Sequence, residues 1–230
     1  ETSLMHAIEF LLTPIMWLMQ HLVMLFQTAT GSFGLAIIGL SIVVRLALTP
    51  IFRIAAKAEQ KEQGVQAAMA PQIAEAKRTL KGREQFERID EIYQAHGYHP
   101  IQSVSSLAPI ALQIPFLLSA LFLLTDLPPL QGKSFLFIEN LGAPDGLLTL
   151  GGININLLPI LLTAVAIFES SIRPEMTQAT RVRFLIVAGV IAVLIYGLPA
   201  AVCLYWLTSN LWSLGSTTLK LRNKTAEAVG

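Results

Sequence analysis

Arg45 stands in an apolar run, 33–52, that contains no other charged residue. A charge near the middle of a membrane-spanning helix costs from about 3 kcal/mol on insertion scales to more than ~10 kcal/mol in simulations, so it must face protein or water and not lipid. At 1.5 Å per residue Arg45 lies roughly 18 Å along such a helix from Phe33, too deep to be only an interfacial anchor. Ser41 and Thr49, one turn before and after it, extend a polar stripe on the same face. Comparable stripes recur in other apolar runs: Gln102, Ser106 and Gln113; Asn156, Thr163 and Ser170; and Tyr205, Ser209, Ser213 and Ser216. The run 184–198 has none and is predicted to be the most lipid-exposed, supporting helix. Any one such residue can simply join helices. Four stripes around one cation point instead to a hydrated groove, lined by Arg45, Ser41, Thr49, Gln113, Thr163, Tyr205 and Ser209.

No Asp or Glu is expected at the depth of Arg45. Glu169 reads as lying near the end of its helix and pairing with Arg173 at i+4, and Asp126 falls at the far end of another run. A cation without a resident counter-ion in a site of low dielectric attracts a visiting anion: an ion, a lipid headgroup or a peptide carboxylate. The competing structural reading is that Arg45 snorkels toward the nearer headgroups.

Enzyme chemistry finds little support. Gly132-Lys133-Ser134 resembles the end of a phosphate loop, but Leu127 stands where that loop needs glycine. His96 and His99 have no Cys or acidic neighbour to complete a metal set. No Ser/His/Asp or paired-carboxylate arrangement lies in the apolar runs, so no catalytic residue, metal or cofactor is expected. The single cysteine, Cys203, excludes a disulfide framework.

The elements that position these residues follow from composition. Of 230 residues, 53% are hydrophobic and 13% charged, against roughly 25% charged in soluble domains. The net charge of +1 hides a confinement of nearly all Lys and Arg to three polar stretches, a topological pattern that argues against a general nucleic-acid surface. About 20 apolar residues cross a bilayer. The predicted fold is therefore an all-α polytopic membrane protein with five transmembrane helices around a polar groove: 33–52, 103–125, 153–172, 184–199 and 200–219. Gly197 to Pro199 separates the last two. Residues 1–28 gather Thr2, His6, Glu9, Thr13, Gln20 and Gln27 on one face, which reads as an interfacial amphipathic helix on the outer side, with a sixth span as the alternative. Because the chain begins at Glu1 with neither methionine nor signal-peptide pattern, the numbering is expected to follow processing or trimming.

Eight basic residues fall in 53–100, three in 173–183 and three in 220–230, against only Lys133 in 126–152. By the positive-inside rule the first three regions are cytoplasmic, which puts the N-terminus out and the C-terminus in. Region 53–100 reads as a helical hairpin turning at Lys81-Gly82, with Phe86, Ile89 and Tyr93 facing Ile73, Ala76 and Leu80 and with Pro71 kinking or interrupting its first arm. Region 220–230 is a basic tail.

Ile42-Val43-Val44-Arg45-Leu46 followed by Thr49-Pro50, Leu112-Gln113-Ile114-Pro115-Phe116, and Tyr205-Trp206-Leu207-Thr208-Ser209-Asn210 together resemble the YidC family of membrane protein insertases. The segment 135–141 is similar to the short outer-face stretch with which that family re-enters the membrane. The resemblance covers nearly the whole chain. It implies a bacterial plasma-membrane insertase and chaperone, with a groove open to the cytoplasm and to lipid and closed outside. It further implies that Arg45 receives acidic residues of a nascent membrane protein, that Ser41, Gln113 and Tyr205 line the groove, and that the cytoplasmic hairpin, through Arg53, Lys57, Lys77, Arg78, Lys81 and Arg83, recruits substrate. The implied partners are membrane lipid, the Sec translocon and the ribosome, with no nucleic-acid recognition beyond ribosome contact. Two departures stand out: these 230 residues hold no large outer-face domain of the kind many Gram-negative members carry, and 220–230 has few basic residues. A half-deep hydrated groove would shorten the path over which a polar tail must cross hydrocarbon, without nucleotide energy. The alternatives are a small anion transporter or channel with Arg45 as selectivity residue, and an assembly subunit in which Arg45 pairs between chains.

Overall fold

The computed structural model describes residues 2–99, 108–172 and 178–229. Gln102, Ser106 and Arg173, which the sequence stripes and pairings invoke, lie outside the described residues. The elements run α1 (Thr2–Thr30), α2 (Phe33–Thr79), α3 (Gly82–Ala95), α4 (Ala108–Asp126), β1 (Leu148–Leu150), β2 (Ile153–Ile155), α5 (Leu157–Ile172), α6 (Gln178–Ile195) and α7 (Ala200–Val229). They form two compact units, one comprising Glu1–Leu46 with Phe116–Gly230, the other Ala47–Pro115.

In the first unit, α7 opens with six consecutive buried residues, Ala200, Ala201, Val202, Cys203, Leu204 and Tyr205. A helix apolar on every side must be enclosed on every side, and α7 accordingly supplies the centre of the unit, with α5 packed against both it and α6. Ala36, Ile37 and Leu40 of α2 and Met19 and Val23 of α1 are also fully buried. Gly34 admits the Phe135 ring so closely that a Cβ there would run into it.

The loop between α4 and α5 is held by its own backbone and holds two helix ends. Phe135 and Ile138 exchange both backbone hydrogen bonds, 2.8 and 2.9 Å, around a turn that leaves Leu136 and Phe137 exposed. The carbonyls of Leu141 and Ala143 accept from the amides of Ala201 and Ala200, and the Asp145 carboxylate accepts from those of Leu157 (2.6 Å) and Leu158. These bonds satisfy first-turn amides of α7 and α5 that would otherwise lack partners. The Asn156 side chain donates to the Tyr196 carbonyl at 2.6 Å and accepts from the Gly146 amide at 3.0 Å, tying the turn after α6 to the same loop.

Three expectations are corrected in this region. The fold is not purely helical, because β1 and β2 pair antiparallel, Leu148 with Ile155 and Leu150 with Ile153. Gly151 and Gly152, at φ +59° and +84°, supply the two positive φ values that a tight two-residue hairpin turn of this hand requires. As a result α5 begins at Leu157 and not at 153. Asn156 leaves the expected stripe, since it precedes α5 and is spent on the loop, while Thr163 and Ser170 stay two turns apart on α5 and bond to carbonyls of their own helix, those of Pro159 and Ile167.

The second unit contains the charge-rich part of the sequence. Met69, Ala76, Ile92 and Tyr98 form its buried core, with Val65, Ile73, Ile89 and Tyr93 around them. The inward face of α3 is thus Ile89, Ile92 and Tyr93, at i, i+3 and i+4, and Phe86 is left 73% exposed, outside the stripe expected for it. Pro71 does not interrupt α2. It is exposed, as is Ala67, whose carbonyl loses its usual donor and can be met by water.

Exposed apolar surface is extensive. Ile186, Val187, Val190, Val193 and Leu194 of α6 are all more than half exposed, as are Phe10, Leu11, Trp17 and Leu25 of α1. Phe10–Thr30 and Phe33–Ala55 are long and apolar enough to cross a membrane, with mean hydropathy 1.4 and 2.2, and Gln113–Asp126, Leu157–Ile172 and Leu185–Ile195 are shorter apolar helices. For α1, length and composition meet the requirement for a sixth span, the alternative to the expected interfacial helix. His6 and Glu9 both precede Phe10, and the 21 residues from Phe10 to Thr30 contain no charge.

The capping role of Asp145 is testable. Asp145→Ala should lower stability by about 1 to 2 kcal/mol, because both α5 amides lose their acceptor. Thermal unfolding in detergent micelles, compared with wild type, measures it.

Candidate functional site: an arginine on a ladder of hydroxyls

Helices α2 and α7 meet in parallel register over two consecutive turns. Ser41 Oγ donates to the carbonyl of Tyr205 at 3.0 Å, and one turn on, Arg45 Nε donates to Ser209 Oγ. Positions four apart on one helix thereby meet positions four apart on the other, the spacing at which helical residues share a face. Ser41, Tyr205 and Ser209 are buried, whereas Arg45 is half-buried and so remains reachable.

The ladder continues along α7. Ser213 Oγ and Thr217 Oγ1 both donate to Oε1 of Glu169, at 2.8 and 3.1 Å, and Glu169 is only 7% exposed. Its carboxylate acts electrostatically on Arg45, as does Tyr205. The expectation that Arg45 has no resident acid is therefore corrected. Glu169 does lie near the end of α5, three residues before Ile172, and it meets α7 one and two turns beyond the Ser209 rung.

Of the residues assigned to the groove from sequence, the structure joins Ser41, Arg45, Tyr205 and Ser209. Thr163 is half-buried and bonds to the Pro159 carbonyl at 2.8 Å. Thr49 and Gln113 belong to the other unit. Sequence reasoning missed Glu169 and Thr217. Strict spacing of four through 205, 209, 213 and 217 singles out Thr217 in place of Ser216, which bonds to the Trp212 carbonyl of its own helix. In the second unit Arg53, Lys57, Lys77, Arg78, Lys81 and Arg83 are all exposed. Lys77 also lines an open cleft of about 500 Å³ with Gln66, Met69, Ile73, Tyr93 and Tyr98.

Apolar helices of membrane-crossing length, apolar side chains exposed in quantity, and a cation buried among hydroxyls define an integral membrane protein. Residues 25–227 match the family described as 60Kd inner membrane protein. The chain belongs to this family, that of the YidC membrane protein insertases, and is an inner membrane protein with apolar helices.

Among its relatives, a membrane protein insertase YidC of Polynucleobacter asymbioticus is 24% identical over 211 residues, covering 90% of this chain and 34% of the relative. One of Clostridium perfringens is 26% identical, covering 81% and 77%, and one of Chlamydia muridarum is 29% identical, covering 88% and 27%. The chain thus spans about a third of the first relative and about three quarters of the second. A solved structure described as an active YidC insertase with its first transmembrane domain resolved shares the fold, with TM-score 0.58 and 22% identity over 91% of this chain and 46% of that one.

Ser209→Ala removes the acceptor of Arg45 Nε and should cost about 1 to 3 kcal/mol, the range for a hydrogen bond to a charged group. A denaturation midpoint in detergent identical to wild type would show that this rung contributes nothing.

Proposed function

We infer that this chain is a membrane protein insertase and chaperone whose working site is a hydrated groove at Arg45. Arg45 receives acidic residues in the polar tail of an incoming polypeptide while apolar helix faces guide its hydrophobic segment into lipid. The observation that carries this reading is the position of Arg45 itself: a half-buried guanidinium about 18 Å into an apolar helix, anchored at Nε by Ser209. Family membership and the name shared by its relatives support it.

In this proposal five spans, 33–52, 103–125, 157–172, 184–199 and 200–219, cross the bacterial plasma membrane, with the N-terminus outside and the C-terminus in the cytoplasm. Lys and Arg distribution supports that orientation. The exposed basic side chains of 53–100 recruit substrate on the cytoplasmic side. Nascent membrane proteins are the substrates, and the Sec translocon and ribosome the proposed partners. The short apolar helices favour local bilayer thinning, which shortens the path that a polar tail must travel. Burying unpaired backbone groups in hydrocarbon costs several kcal/mol each, so a shorter path lowers the barrier substantially.

Arg45→Ala and Arg45→Glu should block insertion of substrates with acidic translocated tails, and Arg45→Lys should largely retain it, because charge matters here more than fork geometry. Reconstituted liposomes and protease protection of the inserted tail provide the assay. Equal insertion by wild type and Arg45→Glu would refute the electrostatic role.

A further inference from the structure

Glu169 is a buried carboxylate near the C-terminal end of an apolar helix, and its surroundings account for it. An ionised carboxylate taken out of water is tolerated only when hydrogen-bonded and paired. Here one oxygen takes two hydroxyl hydrogens from α7, Ser213 and Thr217, and the charge lies within electrostatic reach of Arg45. Cation and anion sit on successive stretches of the same α7 ladder, Arg45 at Ser209 and Glu169 at Ser213 and Thr217. Helix packing alone does not call for an acid here, since hydroxyls and small residues join apolar helices without one.

We propose that Glu169 is a specificity-determining residue: it is the resident counter-ion of Arg45, and an incoming substrate carboxylate must exchange with it. The proposal rests on Arg45 being the substrate site. The same cation cannot be fully satisfied by two carboxylates, so Glu169 lowers the attraction for a tail bearing one acidic residue and leaves a tail with several acids to outcompete it. The hydroxyls of Ser213 and Thr217 hold the displaced carboxylate while the substrate is bound. By linkage, the factor by which a substrate carboxylate weakens the Arg45–Glu169 interaction equals the factor by which Glu169 weakens substrate binding. Glu169 thus sets a threshold of acidic charge.

The test uses the full chain in liposomes and three synthetic single-span substrates that differ only in one tail residue, Asp, Asn or Lys. The readout is the Asp/Asn ratio of insertion rates by protease protection, which a purely structural role would not move. Glu169→Gln keeps shape and acceptor oxygen but removes the charge, and should raise that ratio about fivefold, the low end of typical coupling between sites. It should also lower the Lys/Asn ratio, and in Arg45→Gln/Glu169→Gln the Asp preference should vanish. An Asp/Asn ratio in Glu169→Gln equal to wild type, with the ratio lost in Arg45→Gln, would overturn the role of Glu169 and leave that of Arg45 standing. If Arg45→Gln also leaves the ratio unchanged, both readings fall. Should Glu169→Gln not fold, Ser213→Ala/Thr217→Val decides: freeing Glu169 to bind Arg45 more tightly should lower the Asp/Asn ratio, and an unchanged ratio refutes the proposal.

Discussion

A guanidinium within an apolar helix has to be met by polar groups at its own depth, and much of the first unit follows from that demand. Arg45 cannot choose its partners freely, because a helix places its side chains every 100° and 1.5 Å. Helix α7 answers with polar groups at a spacing of four: the Tyr205 carbonyl for Ser41, Ser209 for Arg45, Ser213 and Thr217 for Glu169. The small size of serine matters as much as its hydroxyl, since small residues let helix backbones approach closely enough for such bonds to form. The other side of α7 near its start can then be wholly apolar, with Cys203 buried among Val202 and Leu204. Polar and apolar packing thus alternate along one helix: enclosure at its start, hydrogen bonding further along.

Much of this was legible from residue types and spacing. The break between α6 and α7 shows in the Gly197 and Pro199 pair, because proline cannot donate to a helix ladder, and Arg45, Ser41, Tyr205 and Ser209 stand out as polar groups recurring in apolar runs. The start of α5 was misread for a definite reason. A transmembrane run is read by hydropathy, and Ile153-Asn154-Ile155 is apolar enough to be counted into the helix. The Gly151-Gly152 pair flanked by Leu148-Thr149-Leu150 and Ile153-Asn154-Ile155 carries the hairpin signal, alternating residues around two glycines. That Glu169 acts on Arg45 follows from how α5 packs on α7, which spacing within one helix does not encode. Loop contacts such as Asp145 with the start of α5 join residues twelve apart, and no local pattern encodes them. The face of α3 shows the same limit: Phe86 satisfies the helical period, yet what covers a face depends on where the partner helix ends.

The two units use charge in opposite ways. In the second, the basic side chains from Arg53 to Arg83 are exposed, where solvent and salt screen them and pairs such as Arg83 with Glu87 contribute little. In the first, two charges share a hydroxyl-lined ladder between helices, where solvent screens them less than it screens the exposed basic side chains. The same residue type serves as a solvated surface in one unit and as a concentrated source of field in the other.

The loop that caps α5 and α7 also defines how these helices can move. Asp145 grips the first turn of α5 while Leu141 and Ala143 grip that of α7, so the two helices are riveted together at one end. Any parting of the pair then becomes a pivot about that end, with displacement growing in proportion to distance from it. Glu169 stands roughly 18 Å from the pivot, so a rotation of only about 10° would carry it about 3 Å, enough to break its bonds to Ser213 and Thr217. Residues near the rivet would barely shift. Leverage of this kind makes the charged rungs of the ladder the part of the unit most responsive to a small opening, and the capped end the part least disturbed by it.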